Sequence, residues 1–286
     1  MKKQNLTAFL FLAPYLIIFV LFRFGPSVAG VLISLTDWNI IGDINFVGLD
    51  NFKKLFQTDY FWTALGNTAK FVAIVVPCVV VLSLALAVLF NQKLRFKGIA
   101  RAVTIIPYVL IPAVVGVIWN WMYSYKSGIL NYYIGKAGME PVGWLIDQKY
   151  ALISIAIVII WSYLGYNMLL FLAGLQNIPQ ELREAAILDG ADPRQSFFKI
   201  TLPLLRPVTS LVVTLSFVNT IQVYDQIYVM TNGGPGTASM TLVQYMYTSA
   251  FKDYDMGYGS AVGTVIVFIL IAVYFVTNKI LKSEVE

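Results

Sequence analysis

Hydrophobic residues fall along this chain in long, nearly unbroken runs separated by polar stretches. Six runs stand out, at residues 6–35, 65–90, 102–122, 150–173, 208–230 and 259–280. Each is near the ~20 residues that an α-helix needs to cross ~30 Å of hydrocarbon. Backbone polar groups in hydrocarbon must be paired within the chain, and a helix pairs them within one segment. The pattern predicts an all-α, polytopic integral membrane protein of six transmembrane helices, with residues 1–286 forming a single domain. Pro14 and Gly25-Pro26 interrupt the first run, and Pro107 and Pro112 the third. The third span should therefore be kinked, because each ring removes an N–H donor and frees a carbonyl. Lys2-Lys3 and Ser27-Val28-Ala29 would also suit a cleaved signal peptide. The apolar run continues past that site and five more follow, so it reads as an uncleaved span.

The polar stretches have patterns of their own. Residues 36–63 should lie outside the bilayer, with Asp50 capping a short interfacial helix that carries Phe52, Leu55 and Phe56 on one face. Residues 125–149, with Gly128, Gly135, Gly138 and Pro141 as turn points, form a second outside loop. Asn232-Gly233-Gly234-Pro235-Gly236 opens a third, ending near Tyr258. The stretch from Gln176 to Pro207 is the longest polar one between spans. It predicts a helix over 180–188 with Glu181 and Glu184 near its N-terminus, where carboxylates suit the dipole. Gly190 then acts as a stop in the turn from Asp189 to Pro193, and a second amphipathic piece ends at Leu202-Pro203. Ala185 and Ala186 leave one side of the first helix nearly bare, so another protein's surface could approach closely.

Charge orients the spans. The chain is 58% hydrophobic and 12% charged, against about 25% charged in soluble domains. Its net charge of +5 reads as loop charge and not as nucleic-acid binding. Lys93, Arg95, Lys97 and Arg101 follow one another with no acid between them, which marks a cytoplasmic loop. With alternating spans, twelve basic residues fall inside (2, 3, 93, 95, 97, 101, 183, 194, 199, 206, 279 and 282) and six outside (53, 54, 126, 136, 149 and 252). Both termini are then cytoplasmic. Lys70 can snorkel from an outer span end.

Composition also removes chemistry. No histidine is present and Cys78 is the one cysteine, so imidazole metal sites and an intrachain disulfide are excluded; Cys78 reads as a small core thiol. The sequence contains no GxxxxGK[ST] phosphate loop and no acidic pair within a span. A membrane enzyme and an ion-driven secondary transporter are both poorly supported, and active transport by this chain would need an outside energy source.

Polar residues inside the spans point to a site. Thr214, Ser216, Asn219, Thr220, Gln222, Asp225 and Gln226 crowd the fifth span, and lipid would tolerate few of them. Asn219, Gln222 and Gln226 share a face at i, i+3, i+7 if that span is one helix. Ser162, Tyr163, Tyr166 and Asn167 cluster in the middle of the fourth. Hydroxyls, amides and aromatic rings together suit a sugar, whose hydroxyls need neutral partners and whose C–H face needs a ring. The competing reading is hydrogen bonding between helices. Arg23, in the first span, costs ~2.5–3.5 kcal/mol at mid-depth unless it faces protein or water. It joins Gln222 and Asp225 as a candidate cavity residue, and it is the one feature that would favour an anionic substrate.

The loop also carries a resemblance. Glu184-Ala185-Ala186, Asp189-Gly190, and Ile200-x-Leu202-Pro203 stand in the register of the EAA loop of binding-protein-dependent ABC importer permeases. The runs GLDNFKKLF and QVYDQIYVMTNGGPG resemble carbohydrate permeases, the second of them the first-named permease subunit of maltose- and glycerol-phosphate-type importers. The resemblance implies the ABC permease fold, with the loop of residues 176–207 docking on a cytoplasmic ATPase. It implies a second homologous permease, two ATPase subunits, an extracytoplasmic solute-binding protein and a sugar or oligosaccharide, in a bacterial or archaeal cytoplasmic membrane. A glycerol phosphate or other anionic sugar is the alternative substrate. No cofactor would sit on this chain, ATP and Mg being held by the partners. Sugar contacts of the maltose permease fall here on Ile159, Ser162, Tyr163, Tyr166, Ser216 and Thr220; Ile159 departs from the polar residue expected, and Tyr163 from a glycine.

Overall fold

A computed structural model describes residues 2–92 and 95–281. Lys93 and Lys282, counted above among the inside charges, lie outside them. The described residues are predominantly helical, and their one extended pairing is an isolated bridge between Thr36 and Phe46. Two compact units are present, residues 1–62 with 245–268, and residues 63–244 with 269–286.

In the first unit, helix α1, residues 2–33, provides an apolar stretch at Phe11–Ile33, none of it buried. A π-turn at Val20–Phe24 interrupts it, and Arg23 in that turn is exposed. Helix α2, Asp50–Gln57, forms where expected but is differently anchored. Leu49 is its N-cap residue and Asp50 its first helical one, and the Asp50 carboxylate accepts from Lys53 Nζ at 2.7 Å. Its apolar face also turns inward more than an interfacial helix would: Leu55 is fully buried and only Phe56 is half exposed. Asn51 fixes the approach, its Nδ2 donating to the carbonyls of Ser34 and Thr36 at 2.9 and 2.7 Å. Across the same unit Tyr245 and Tyr258 share a hydroxyl contact of 2.8 Å. Burial and that hydrogen bond push the Tyr245 phenol upward.

The second unit holds most of the core. Helix α3 runs through Asp59–Asn91. Its buried Phe71, Val75 and Val79 pack with Ile155, Ile159 and Ile227. Cys78, on the same helix, is only half buried. The third apolar run does more than kink: α4, Lys97–Val109, and α5, Pro112–Met122, meet at 98°. Pro107 sits inside α4, and the break falls at Leu110 and Ile111, the residues before Pro112, as proline's demand for an extended predecessor requires. A short helix α6, Ile129–Lys136, occupies the second predicted outside loop. Asn131 organises it, bonding the carbonyls of Tyr125 and Val142 and accepting from Trp144 Nε1.

Helix α7, Ala151–Gln176, is long, contains no proline and is the most buried of the spanning candidates. It leads into α8, Gln180–Leu188, and α9, Pro193–Leu204, which joins α10, Arg206–Ile221, at a bend of 66°. The predicted fifth span is therefore not one helix. Helix α10 ends at Ile221 after 16 residues, about 24 Å at 1.5 Å per residue, and α11, Asp225–Met230, starts afresh. Beyond it the Asn232–Gly236 turn is held by Ser239, whose Oγ donates to the Gly234 carbonyl at 2.6 Å, and by Asn67 Nδ2 donating to Thr237 at 2.7 Å. Helix α12, Leu242–Tyr247, and α13, Met256–Leu281, are the last described helices, and each carries residues of both units. Among the described residues, four helices are long and apolar enough to cross a membrane, or up to six if each bent pair counts as one.

Candidate functional site

Small residues decide where the helices of the second unit can touch. A Cβ on Gly165 would collide with the backbone of Thr104 and lie 2.7 Å from Ile105 Cα, so α4 crosses α7 at backbone contact there. Gly174 leaves room for Val208 and Leu205 at 2.8 and 3.0 Å, and Leu205 is fully buried against Phe171 and Leu175. Close approach of this kind is how helices pack without a hydrophobic driving force. One turn beyond Thr104, the Gly165 crossing delivers Tyr108 onto Tyr166, the rings stacked at 4.5 Å and 9°. Tyr163 meets Tyr108 edge-on at 6.4 Å.

The two helix breaks open onto one cavity of about 400 Å³. Its lining includes Pro107, Tyr108 and Pro112 from the α4–α5 break, Ser162 and Tyr163 from α7, and Asn219, Gln222, Asp225 and Gln226 around the α10–α11 break. Broken helices expose backbone polar groups, and within a membrane those are tolerated where they line a cavity. Asn219, Gln222 and Gln226 do come together, though not by the helical i, i+3, i+7 register: Gln226 belongs to α11, and the turn at Gln222–Tyr224 brings it back.

The other predicted site residues fall as follows. Ser162 lines the cavity but spends its hydroxyl on the Val158 carbonyl at 2.9 Å. Tyr166 backs the lining ring of Tyr108 and is not itself a wall residue. Ser216 and Thr220 are 0% and 1% exposed and do not line the cavity; their hydroxyl oxygens have no partner among the described residues. Ile159 is fully buried in the core. Arg23 is exposed in the first unit and is not a lining residue, so the charge on this cavity is the carboxylate of Asp225. Sequence reading passed over Tyr108; an aromatic residue just after Pro107 and before Pro112 was the available signal.

A second surface forms at the polar loop. Helix α8 ends in a Schellman turn: the N–H of Ala191 reaches the Ala186 carbonyl at 2.9 Å, and Gly190 holds φ +79°. A Cβ at Gly190 would meet nothing within 4 Å, so in this chain glycine is required by the backbone angle and not by crowding. Asp192 caps α9 in a capping box, accepting from Gln195 N at 2.7 Å, a signal present in the sequence as Asp-Pro-Arg-Gln. A π-turn at Phe197–Thr201 follows, with Ile200, Leu202 and Pro203 half buried. Ala185 and Ala186 do not share a free face: Ala186 is 5% exposed and turned inward, while Ala185 is exposed. What α8 presents outward is Glu181, Leu182, Glu184 and Leu188, followed by Asp189; Glu184 Oε1 accepts from Gln180 Nε2 at 2.7 Å. Two clefts that share Asn91 and Leu175 lie in this region, one lined also by Arg194, Phe197 and Phe198 and the other by Ile178 and Glu184.

Residues 71–285 match the model of a family described as the binding-protein-dependent transport system inner membrane component. A probable ABC transporter permease protein of Pyrococcus horikoshii is 37% identical, over 92% of this chain and 91% of its own. The trehalose/maltose transport system permease protein of Thermococcus litoralis is 34% identical, over 94% of this chain and 91% of its own. A chain of the bacterial alginate ABC transporter, solved in complex with an alginate pentasaccharide-bound periplasmic protein, superposes with a TM-score of 0.85 at 20% identity, covering 97% of this chain and 94% of that one.

Proposed function

The chain belongs to the family of binding-protein-dependent transport system inner membrane components, and from that premise we propose that it carries a sugar or oligosaccharide through the cytoplasmic membrane as a permease subunit of an ABC importer. It is a transport component, not an enzyme. The observation that carries the substrate class is the cavity, where Asn219, Gln222 and Gln226 offer neutral donors and acceptors beside the rings of Tyr108 and Tyr163. The anionic-sugar alternative rested on Arg23, which is exposed and outside that lining. Six spans with both termini cytoplasmic fit the basic loops, the bent pair α4–α5 making one crossing and α10 with α11 another. A second permease completes the cavity, a solute-binding protein delivers the sugar, and two ATPases hold ATP and Mg at the face where α8 lies.

Geometry suggests how the loop and the cavity are linked. Helix α7 carries Ser162 and Tyr163 at the cavity and ends at Gln176, four residues before α8. That is 13 residues from Tyr163, or about 20 Å at 1.5 Å per residue. ATPases closing beneath α8 would push on the end of a buried helix whose middle forms a cavity wall, turning the loop's displacement into opening on the other side.

Replacing Tyr108 or Tyr166 by Ala tests the substrate assignment. Each change removes a stacked ring pair worth ~0.5–1.5 kcal/mol and a hydroxyl of similar worth. Uptake per assembled complex should fall about tenfold or more, with the exposed Val267→Ala as a neutral control. Stimulation of the ATPases by loaded binding protein should survive in part, because α8 is untouched. Normal uptake per complex in both tyrosine variants would reject the cavity as the sugar site.

A further inference from the structure

We infer that Asp225 makes this cavity selective for uncharged sugars and against sugars that carry a carboxylate or phosphate. The inference rests on the reading of the cavity as a sugar site. Asp225 is the only charged side chain among the lining residues, and neither Lys nor Arg is present there. It is exposed to the cavity, and the ion pairs among the described residues, Lys53–Asp50 and Lys54–Asp255, lie elsewhere. Its carboxylate has no hydrogen-bond partner among the described residues.

The helix break is what puts it there. Were α10 continuous, Asp225 would stand one turn above Ile221 on the same face, and Ile221 is 2% exposed in the packing. Ending α10 at Ile221 and restarting at Asp225 turns the carboxylate into the open space instead. The amides of Asn219, Gln222 and Gln226 both donate and accept, so they cannot discriminate by charge. A carboxylate only accepts. It can take two hydroxyl protons from a vicinal diol, in charge-assisted bonds roughly twice as strong as neutral ones. Against an anionic sugar it offers no proton and repels. Like charges a few ångströms apart in a partly shielded cavity interact strongly enough to alter preference on the order of tenfold to a hundredfold.

The test uses the whole complex, both permeases with the ATPases, in detergent and without binding protein, so that the binding protein's own preference does not intervene. Saturation-transfer NMR would screen maltose, trehalose, cellobiose, xylobiose and arabinobiose. Whichever binds best is then compared with its uronate counterpart. Wild type should bind the uronate at least tenfold more weakly. Asp225→Asn should narrow that gap at least fivefold, chiefly by losing affinity for the neutral sugar and gaining some for the uronate, and Asp225→Glu should keep it. An unchanged ratio in Asp225→Asn would overturn the proposal, as would loss of the assembled complex in that variant, which would make the carboxylate a packing partner. If wild type binds none of the neutral sugars, the sugar reading falls as well; an unchanged ratio with binding intact removes only the role of Asp225.

Discussion

Glu184→Lys and Gly190→Val should each bring uptake close to background while the permease stays assembled in the membrane. Glu184 is exposed on α8, beside Glu181 and followed by Asp189, so this face is acidic, and the proposed ATPase contact calls for a basic partner. Truncating one member of a buried interfacial charge pair costs about 2–5 kcal/mol, and reversing the charge costs no less. At 1.4 kcal/mol per factor of ten, that is a loss of roughly thirtyfold to several thousandfold in productive docking. Gly190 fails for a different reason. Its φ of +79° lies where L-residues are strained by about 1–2 kcal/mol, more for a β-branched one, and the Schellman turn that aims α9 depends on it. Since a Cβ there meets nothing in this chain, Gly190→Asn, which tolerates the left-handed region, should keep most uptake. If Asn fails as completely as Val, a docked partner's proximity and not the backbone angle sets the requirement. Normal uptake by Glu184→Lys at normal membrane abundance would remove α8 from the coupling role.

Gly165→Val should be as damaging, with the loss appearing in assembly as well as in transport. The α4–α7 crossing is at backbone contact, so an added side chain cannot be absorbed by a rotamer change. Overpacking usually costs 1–3 kcal/mol where side chains can give way; here Thr104 and Ile105 must move with their whole helix. Displacing α4 separates Tyr108 from Tyr166 and opens the cavity wall, so the yield of assembled complex should drop severalfold and uptake per complex at least tenfold. Gly165→Ala should show the same defect more mildly. Gly66→Ala is the matched control: its Cβ meets nothing within 4 Å, and in a helix the change gains up to ~1 kcal/mol. Gly165→Val with normal yield and uptake would mean that α4 does not cross α7 as described.

These particulars show where the sequence was readable. The long apolar helices, the α8 boundaries and the turn at Gly190 follow from local chemistry: run length, a stop glycine, carboxylates at a helix start. The break after Ile221 does not. Residues 208–230 keep enough apolar positions among their polar ones to pass for one helix, and no proline or glycine marks the 222–224 turn, so only tertiary packing reveals it. The same limit hid which polar residues face the cavity. Ser216 and Thr220 suited a sugar by type but are buried in packing. Tyr108, one helix away in space and more than fifty residues away in sequence, lines the cavity because Gly165 lets α4 come close. Asp50 shows a smaller version of this: cap and first-turn positions differ by one residue, and propensity does not separate them.

The central claim is that this chain moves sugar only when ATPases act on α8. Reconstituting the permease pair with both ATPases in liposomes, with sugar-loaded binding protein on the far side, tests it directly. Uptake should require ATP, disappear with Glu184→Lys, and be unaffected by ionophores that collapse proton and sodium gradients. Accumulation of sugar by this chain alone, driven by an ion gradient and without ATP, would contradict the account.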